Sequence, residues 1–198
     1  MNISTIRTRY ILSFLFLAWF IAIPDLAVSG SKEPLPLKGS FSLVDETGKK
    51  VSLESYRGRY LLIYFGYTYC PDVCPTSLGI IAEILEGLPK KSLDKIIPLF
   101  ITVDPERDTV EHMREYTEAF HPSLVGLTGS VTETSRAART FGVYFAKAEI
   151  DPDDSTAYLV DHSSNTFFID PQGRIVEIYG HAPLAQKVIN DLKQHLEP

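Results

Sequence analysis

The chain has 198 residues, of which 44% are hydrophobic and 22% charged, with 12 Gly and 13 Pro. That composition belongs to an ordinary globular protein and excludes a disordered, collagen-like or polytopic membrane chain. The net charge of −6 argues against nucleic acid as a partner. The two cysteines, Cys70 and Cys74, are too few for a disulfide-dense scaffold, a four-thiolate zinc site or an iron–sulfur cluster.

Arg7 and Arg9 precede an apolar run from Tyr10 to Ile23 that only Ser13 interrupts. Pro24 and Asp25 end it, and Ala27-Val28-Ser29 offers small residues at the positions a signal peptidase reads. Residues 1–29 therefore read as a secretory signal peptide or, if uncleaved, as an N-terminal membrane anchor. The run is short for the ~20 residues of a bilayer span. Either way the rest of the chain is exported, to the periplasm or the outer face of the cytoplasmic membrane, where an oxidising environment is expected. Residues 30–40, rich in Pro, Gly and Ser, read as a linker, and 41–198 as one folded domain.

Phe41–Val44 and Val51–Leu53 flank Asp45-Glu46-Thr47-Gly48, which predicts a hairpin. Tyr60–Phe65 is a continuous apolar run, as in a strand covered on both faces. Both cysteines lie in the loop that follows. Leu78, Ile81, Ile84, Leu85 and Leu88 then recur with helical period. Leu99–Val103 predicts a second buried strand, with Pro98 ahead of it rather than inside it. Asp108 or Thr109 can cap a helix whose inner face is Val110, Met113, Tyr116 and Phe120. Leu124–Leu127 is a short strand, and Ser130 with Glu133 forms a capping-box pattern for a helix ending near Phe141-Gly142. The acidic stretch 151–154 marks a surface loop. Thr166–Ile169 and Arg174–Tyr179 form a closing hairpin, and Pro183 fits the first turn of a last helix. This order predicts an α/β domain with a central mixed sheet flanked by helices and an added N-terminal hairpin.

The motif Cys70-Pro71-Asp72-Val73-Cys74 has two readings. A structural disulfide would close a loop so short that chain entropy gives it only about 2 kcal/mol, and a domain with its own core hardly needs that. The functional reading places thiols where a loop runs into a helix N-terminus, whose unpaired amides and dipole lower a thiol pKa. The pair alone does not choose between redox chemistry and metal binding. Imidazole would supply a third donor suited to copper or zinc. His112, His121 and His195 read as surface residues, and His181 as a cap-region residue. His162, in Val160-Asp161-His162-Ser163-Ser164, is expected in a loop just before the strand Thr166–Ile169.

A cysteine pair between the first core strand and its helix resembles the thioredoxin arrangement. The resemblance to thioredoxins departs where they carry a cis-proline before the penultimate strand. Ser164-Asn165 stand there instead, which disfavours a general disulfide oxidoreductase. Phe65-Gly66-Tyr67-Thr68-Tyr69-Cys70-Pro71-Asp72-Val73-Cys74-Pro75 looks like the signature of the Sco/SenC family of copper chaperones. Val103-Asp104-Pro105-Glu106-Arg107-Asp108-Thr109, Gly126-Leu127-Thr128-Gly129 and Tyr158-Leu159-Val160-Asp161-His162-Ser163 resemble its further motifs, in order and with suitable spacing.

The resemblance implies a thioredoxin-like domain that binds one copper ion, Cu(I) or Cu(II), through Cys70, Cys74 and His162. It implies service in assembly of the copper-A centre in subunit II of cytochrome c oxidase, or of another copper protein, as a metallochaperone rather than an enzyme. Other copper chaperones or thiol reductants are then further partners. The alternative is a thiol–disulfide oxidoreductase that uses Cys70 and Cys74 to reduce the cysteines of the target site. Asp72 and Asp161 are candidates for orienting the loops or adding a donor. Asp104 and Arg107 are expected to brace the loop region. A copper-A site proper adds His four and Met seven residues after its second Cys, where this chain has Leu78 and Ile81. A peroxiredoxin wants Thr three residues before its reactive Cys, where Tyr67 stands. Gly-rich phosphate loops, His-Glu-x-x-His and Gly-x-Ser-x-Gly are absent, so no other catalytic constellation competes.

Overall fold

The computed structural model describes residues 33–37, 39–151, 154 and 157–197. The segment read as a signal or anchor, with its cleavage position, lies outside them, as do parts of the linker and of the acidic loop. No helix among the described residues is long and apolar enough to cross a membrane.

Among the described residues, ten strands and five α-helices follow in chain order: β1 (Leu35–Pro36), β2 (Ser42–Asp45), β3 (Lys50–Ser52), β4 (Tyr60–Gly66), α1 (Val73–Glu86), α2 (Lys90–Leu93), β5 (Ile96–Thr102), α3 (Val110–Glu118), β6 (Val125–Thr128), α4 (Val131–Thr140), β7 (Phe145–Glu149), β8 (Tyr158–His162), β9 (Thr166–Ile169), β10 (Arg174–Tyr179) and α5 (Ala185–Leu196). Eight strands form one mixed sheet in the order β1-β10-β9-β4-β5-β6-β2-β3. β4 lies near its middle, parallel to β5 and antiparallel to β9. The predicted N-terminal hairpin, β2–β3, joins the sheet through β6. β1, in the expected linker, adds a short edge strand beside β10.

Leu61 to Phe65 are all buried, which is why this strand reads as an unbroken apolar run. Leu78, Ile81, Ile84 and Leu85 form the buried stripe of α1, and Val188, Ile189, Leu192 and Leu196 that of α5, which packs beside it. Each such side chain removed from water contributes about 1.5–3 kcal/mol. Thr109 caps α3 by accepting from His112 N. Ser130 and Glu133 close the expected capping box on α4, with Ser130 N donating to Glu133 Oε2 at 2.8 Å. Gly142, at φ +68°, follows that helix in the left-handed conformation glycine adopts freely.

Four local expectations are corrected. Pro98 lies inside β5, not ahead of it. Val103 N bonds back to Gly66 in β4, so the odd-numbered amides of β5 face β4 and position 98 faces the β6 side. β6 pairs only from Leu99 onward, so no ladder bond is lost there. Pro183 precedes the cap of α5, which is Leu184, instead of occupying its first turn. Phe120 falls beyond α3, although it still packs edge-on against Tyr116 at 5.1 Å. His162 is the last residue of a strand, not part of a loop. β7 and β8 pair as a separate two-stranded sheet that no sequence signal had marked. The β7 sequence, Phe-Ala-Lys-Ala-Glu, lacks the β-branched alternation by which strands announce themselves.

Candidate metal centre

β4 ends at Gly66, and the chain then turns through Tyr67–Asp72 into α1. Cys70 lies in that turn and Cys74 in the first helical turn. The first amides of a helix lack partners within it. Here the sulfur of Cys70 takes one of them, accepting from Cys74 N at 3.4 Å. Asp72 is the N-cap residue, yet its carboxylate makes no capping bond and stays exposed.

From the other side, β8 brings His162 to the thiols. Its Nε2 lies 3.2 Å from Cys74 Sγ. Its Nδ1 lies 3.0 Å from the carbonyl of Ser163, and because a carbonyl only accepts, Nδ1 carries the proton. With Nδ1 turned to that carbonyl, Nε2 is the ring nitrogen left to face the sulfur. Tyr64 and Tyr67 present ring edges to the imidazole at centroid distances of 6.2 and 5.9 Å. The ligand atoms of Cys70, Cys74 and His162 all lie within 4.8 Å of one another.

The two thiols are not equivalent. Cys74 is 0% exposed and Cys70 8%, so a partner meets Cys70 first. The Cys74 thiol beside Cys70 holds it far below the ordinary thiol range, at about 3, against the opposing effect of burial. His162 and the Asp72 and Cys74 amides add to that lowering. Cys74 is pushed up, first by its bond to the Cys70 sulfur and then by burial. The reduced pair thus holds one thiolate and one thiol that shares its proton.

The further residues divide. Asp161 alternates away from His162 along β8 and is exposed, and neither it nor Asp72 belongs to the donor cluster. Asp104 and Arg107 pair with each other, and the Arg107 guanidinium lies over the ring of Tyr69 in the cysteine loop. Arg107 Nε bonds Asp104 Oδ2 at 2.5 Å, so the arginine's carboxylate partner is three residues away in its own motif. The sequence reading missed Asp108 in this role. The cap that Asp108 could offer α3 is supplied by Thr109. Fully buried, Asp108 accepts from Thr68 N at 3.1 Å, Thr68 Oγ1 at 2.6 Å and Thr102 Oγ1 at 2.6 Å, tying the cysteine loop to β5. It also missed Gly66, whose place at the end of a buried strand is itself a signal of close approach.

A mixed sheet flanked by helices, with two thiols and one imidazole converging at the end of its central strand, defines a thioredoxin-like domain carrying a donor set suited to a soft metal ion. The chain belongs to the SCO1/SenC family, whose model matches residues 29–197. It is 41% identical over 161 residues to a SCO2-like protein of Rickettsia prowazekii, covering 81% of this chain and 77% of the relative. It is 38% identical over 160 residues to the mitochondrial SCO2 homolog of Mus musculus, covering 80% of this chain but 62% of that longer protein. Among solved structures, copper-bound ScoI of Arabidopsis thaliana superposes with a TM-score of 0.73 at 36% identity, covering 81% of this chain and 98% of the other.

Proposed function

We propose that this chain is an exported copper-binding assembly factor that holds one copper ion between Cys70, Cys74 and His162 and passes it to a copper protein, the copper-A site of cytochrome c oxidase subunit II in particular. The observation that carries the reading is the 3.2 Å approach of His162 Nε2 to Cys74 Sγ, because exchange between dithiols and disulfides requires no imidazole there. Two sulfurs and one imidazole nitrogen suit Cu(I), and imidazole also suits Cu(II). With copper as cargo, the accessible Cys70 is where an incoming thiolate begins ligand exchange, and the buried Cys74 lets go last. Membership of the SCO1/SenC family and the copper-bound ScoI of Arabidopsis thaliana support the copper-binding part of this reading.

The asymmetry of the thiols favours a second reading, reduction of a target disulfide. The Cys70 thiolate would attack one target sulfur and release the other as a thiolate. Cys74 would then lose its proton and attack Cys70, freeing the second target thiol and leaving a Cys70–Cys74 disulfide, two electrons having passed to the target.

Cu(I) titration of the reduced and oxidised domain tests the copper reading. One copper per chain is expected in the reduced form and none in the disulfide form, because thiolates are the ligands. Equal uptake by both forms would sink it.

A further inference from the structure

His162 reaches Cys74 from an element that the main sheet does not hold, since β7 and β8 form a sheet of their own. Side chains provide the attachment. Val160 N, two residues before His162, donates to Tyr67 Oη at 3.2 Å. Tyr158 Oη, at the start of β8, donates to Asp104 Oδ1 at 2.9 Å. Arg107 Nη1 donates to the Tyr158 carbonyl at 3.1 Å, and its guanidinium lies 3.7 Å over the Tyr158 ring and 4.8 Å over that of Tyr69. Tyr67 and Tyr69 belong to the cysteine loop, so each of these two residues touches both ligand-bearing segments. Lys147 pairs with Glu106 across the same junction, but both are half-exposed and such pairs contribute little.

We propose that Tyr67 and Arg107 are positioning residues that fasten the β7–β8 hairpin to the cysteine loop and so set the spacing of His162 Nε2 from Cys74 Sγ. Tyr67 does this with one atom, its hydroxyl, which takes a backbone amide that no strand pairs. Arg107 does it with a planar fork whose two ends reach Asp104 and the Tyr158 carbonyl, while its face stacks on two rings. The inference rests on the copper seat proposed above only where copper is the probe.

The test uses Tyr67→Phe, which keeps the ring edge against His162 and removes only the hydroxyl, and Arg107→Met, with Arg107→Lys as the conservative companion. In the reduced, metal-free protein, the His162 ring resonances are read by NMR. In the copper-loaded protein, the sulfur-to-Cu(II) charge-transfer bands and the rate of copper loss to a chelator are read. Both Tyr67→Phe and Arg107→Met should shift the metal-free His162 signals while far-ultraviolet dichroism stays native. Copper loss should speed up about tenfold, the scale at which residues behind a ligand act. Arg107→Lys should fail to restore either readout, because an ammonium cannot span both acceptors. Variants that melt lower but keep wild-type His162 signals and wild-type bands would overturn the proposal in favour of a merely structural role. A wild-type chain that binds no copper would defeat the copper seat instead, and the metal-free spectra would still decide the positioning role.

Discussion

A methyl group on Gly66 would lie 2.7 Å from Cys74 Sγ, closer than any real Cβ contact. The same point is 2.9 Å from Phe100 Cε2 and 3.1 Å from Tyr64 Cε1, and both of those rings are fully buried. The central strand therefore ends in glycine to leave room for the sulfur, not to allow a special backbone angle.

Gly66→Ala should accordingly displace the sulfur, since neither ring can retreat in a close-packed core. Overpacking of this kind costs about 1–3 kcal/mol. Copper affinity should fall about tenfold or more as the 3.2 Å contact with His162 is lost. Thermal melting and a competitive copper titration check both effects. An alanine variant with native affinity would show that Cys74 has slack the packing does not suggest.

The reduced pair should titrate as one thiolate at neutral pH. Cys70 is held at about 3 against an unfolded value of 9.0, so the folded state favours its ionised form. For Cys70 the sign follows: its stabilisation grows as the pH rises from about 3 towards 9.0 and is gone below about 3, while the raised Cys74 works against the fold above pH 9.0. Thiolate absorbance near 240 nm in the metal-free protein should therefore persist at pH 6. Cys74→Ala removes the largest cause of the lowering and should move the midpoint of Cys70 upward. An ordinary midpoint near 8.5 in the unmodified pair would refute the proton sharing.

Asp108→Ala should be the most destabilising change near the site that touches no proposed copper ligand. It removes the acceptor of Thr68 N, of Thr68 Oγ1 and of the Thr102 hydroxyl proton, leaving Thr102 Oγ1 only its bond from Asp104 N. Each buried group left without a partner costs about 1–3 kcal/mol. Asp108→Asn keeps one carbonyl acceptor, and the threonine hydroxyls can turn to accept from its amide, so it should lose much less. Urea denaturation of the reduced domain distinguishes the two. Equal losses would mean that the charge, rather than the bonds, matters there.

The central sheet and its helices were legible because their signals are local and redundant. Tyr60–Phe65 is apolar throughout, and Ser130 with Glu133 spells a cap within four residues. The β7–β8 hairpin was not legible, because its stability comes from the rings and carboxylates it packs on, not from its own alternation. Tyr158 and Val160 point inward, but Leu159 between them is partly exposed and blurs the period. The three proposed ligands were reached through their ordered motifs, whereas the supports behind them were harder to place. Arg107 finds Asp104 nearby in sequence but Tyr158 fifty-one residues on, a contact that only the folded chain makes.

His162→Ala separates the two readings of the site. The imidazole supplies one of three proposed copper bonds, and its loss leaves two sulfurs. Cu(II) should suffer most, since imidazole suits it and paired thiolates alone are readily oxidised by it. Disulfide exchange should survive, because its rate is set by the attacking thiolate, its pKa and its access. His162 adds only a secondary lowering to Cys70, behind the Cys74 thiol, so the exchange rate should change modestly. The variant should therefore react with a model disulfide within a few-fold of the wild-type rate while failing to hold Cu(II). In cells lacking the protein it should not restore oxidase activity if copper delivery is its task. Full restoration by His162→Ala, set against failure of Cys70→Ala, would identify the thiols as a reductant and leave the imidazole without a role in delivery.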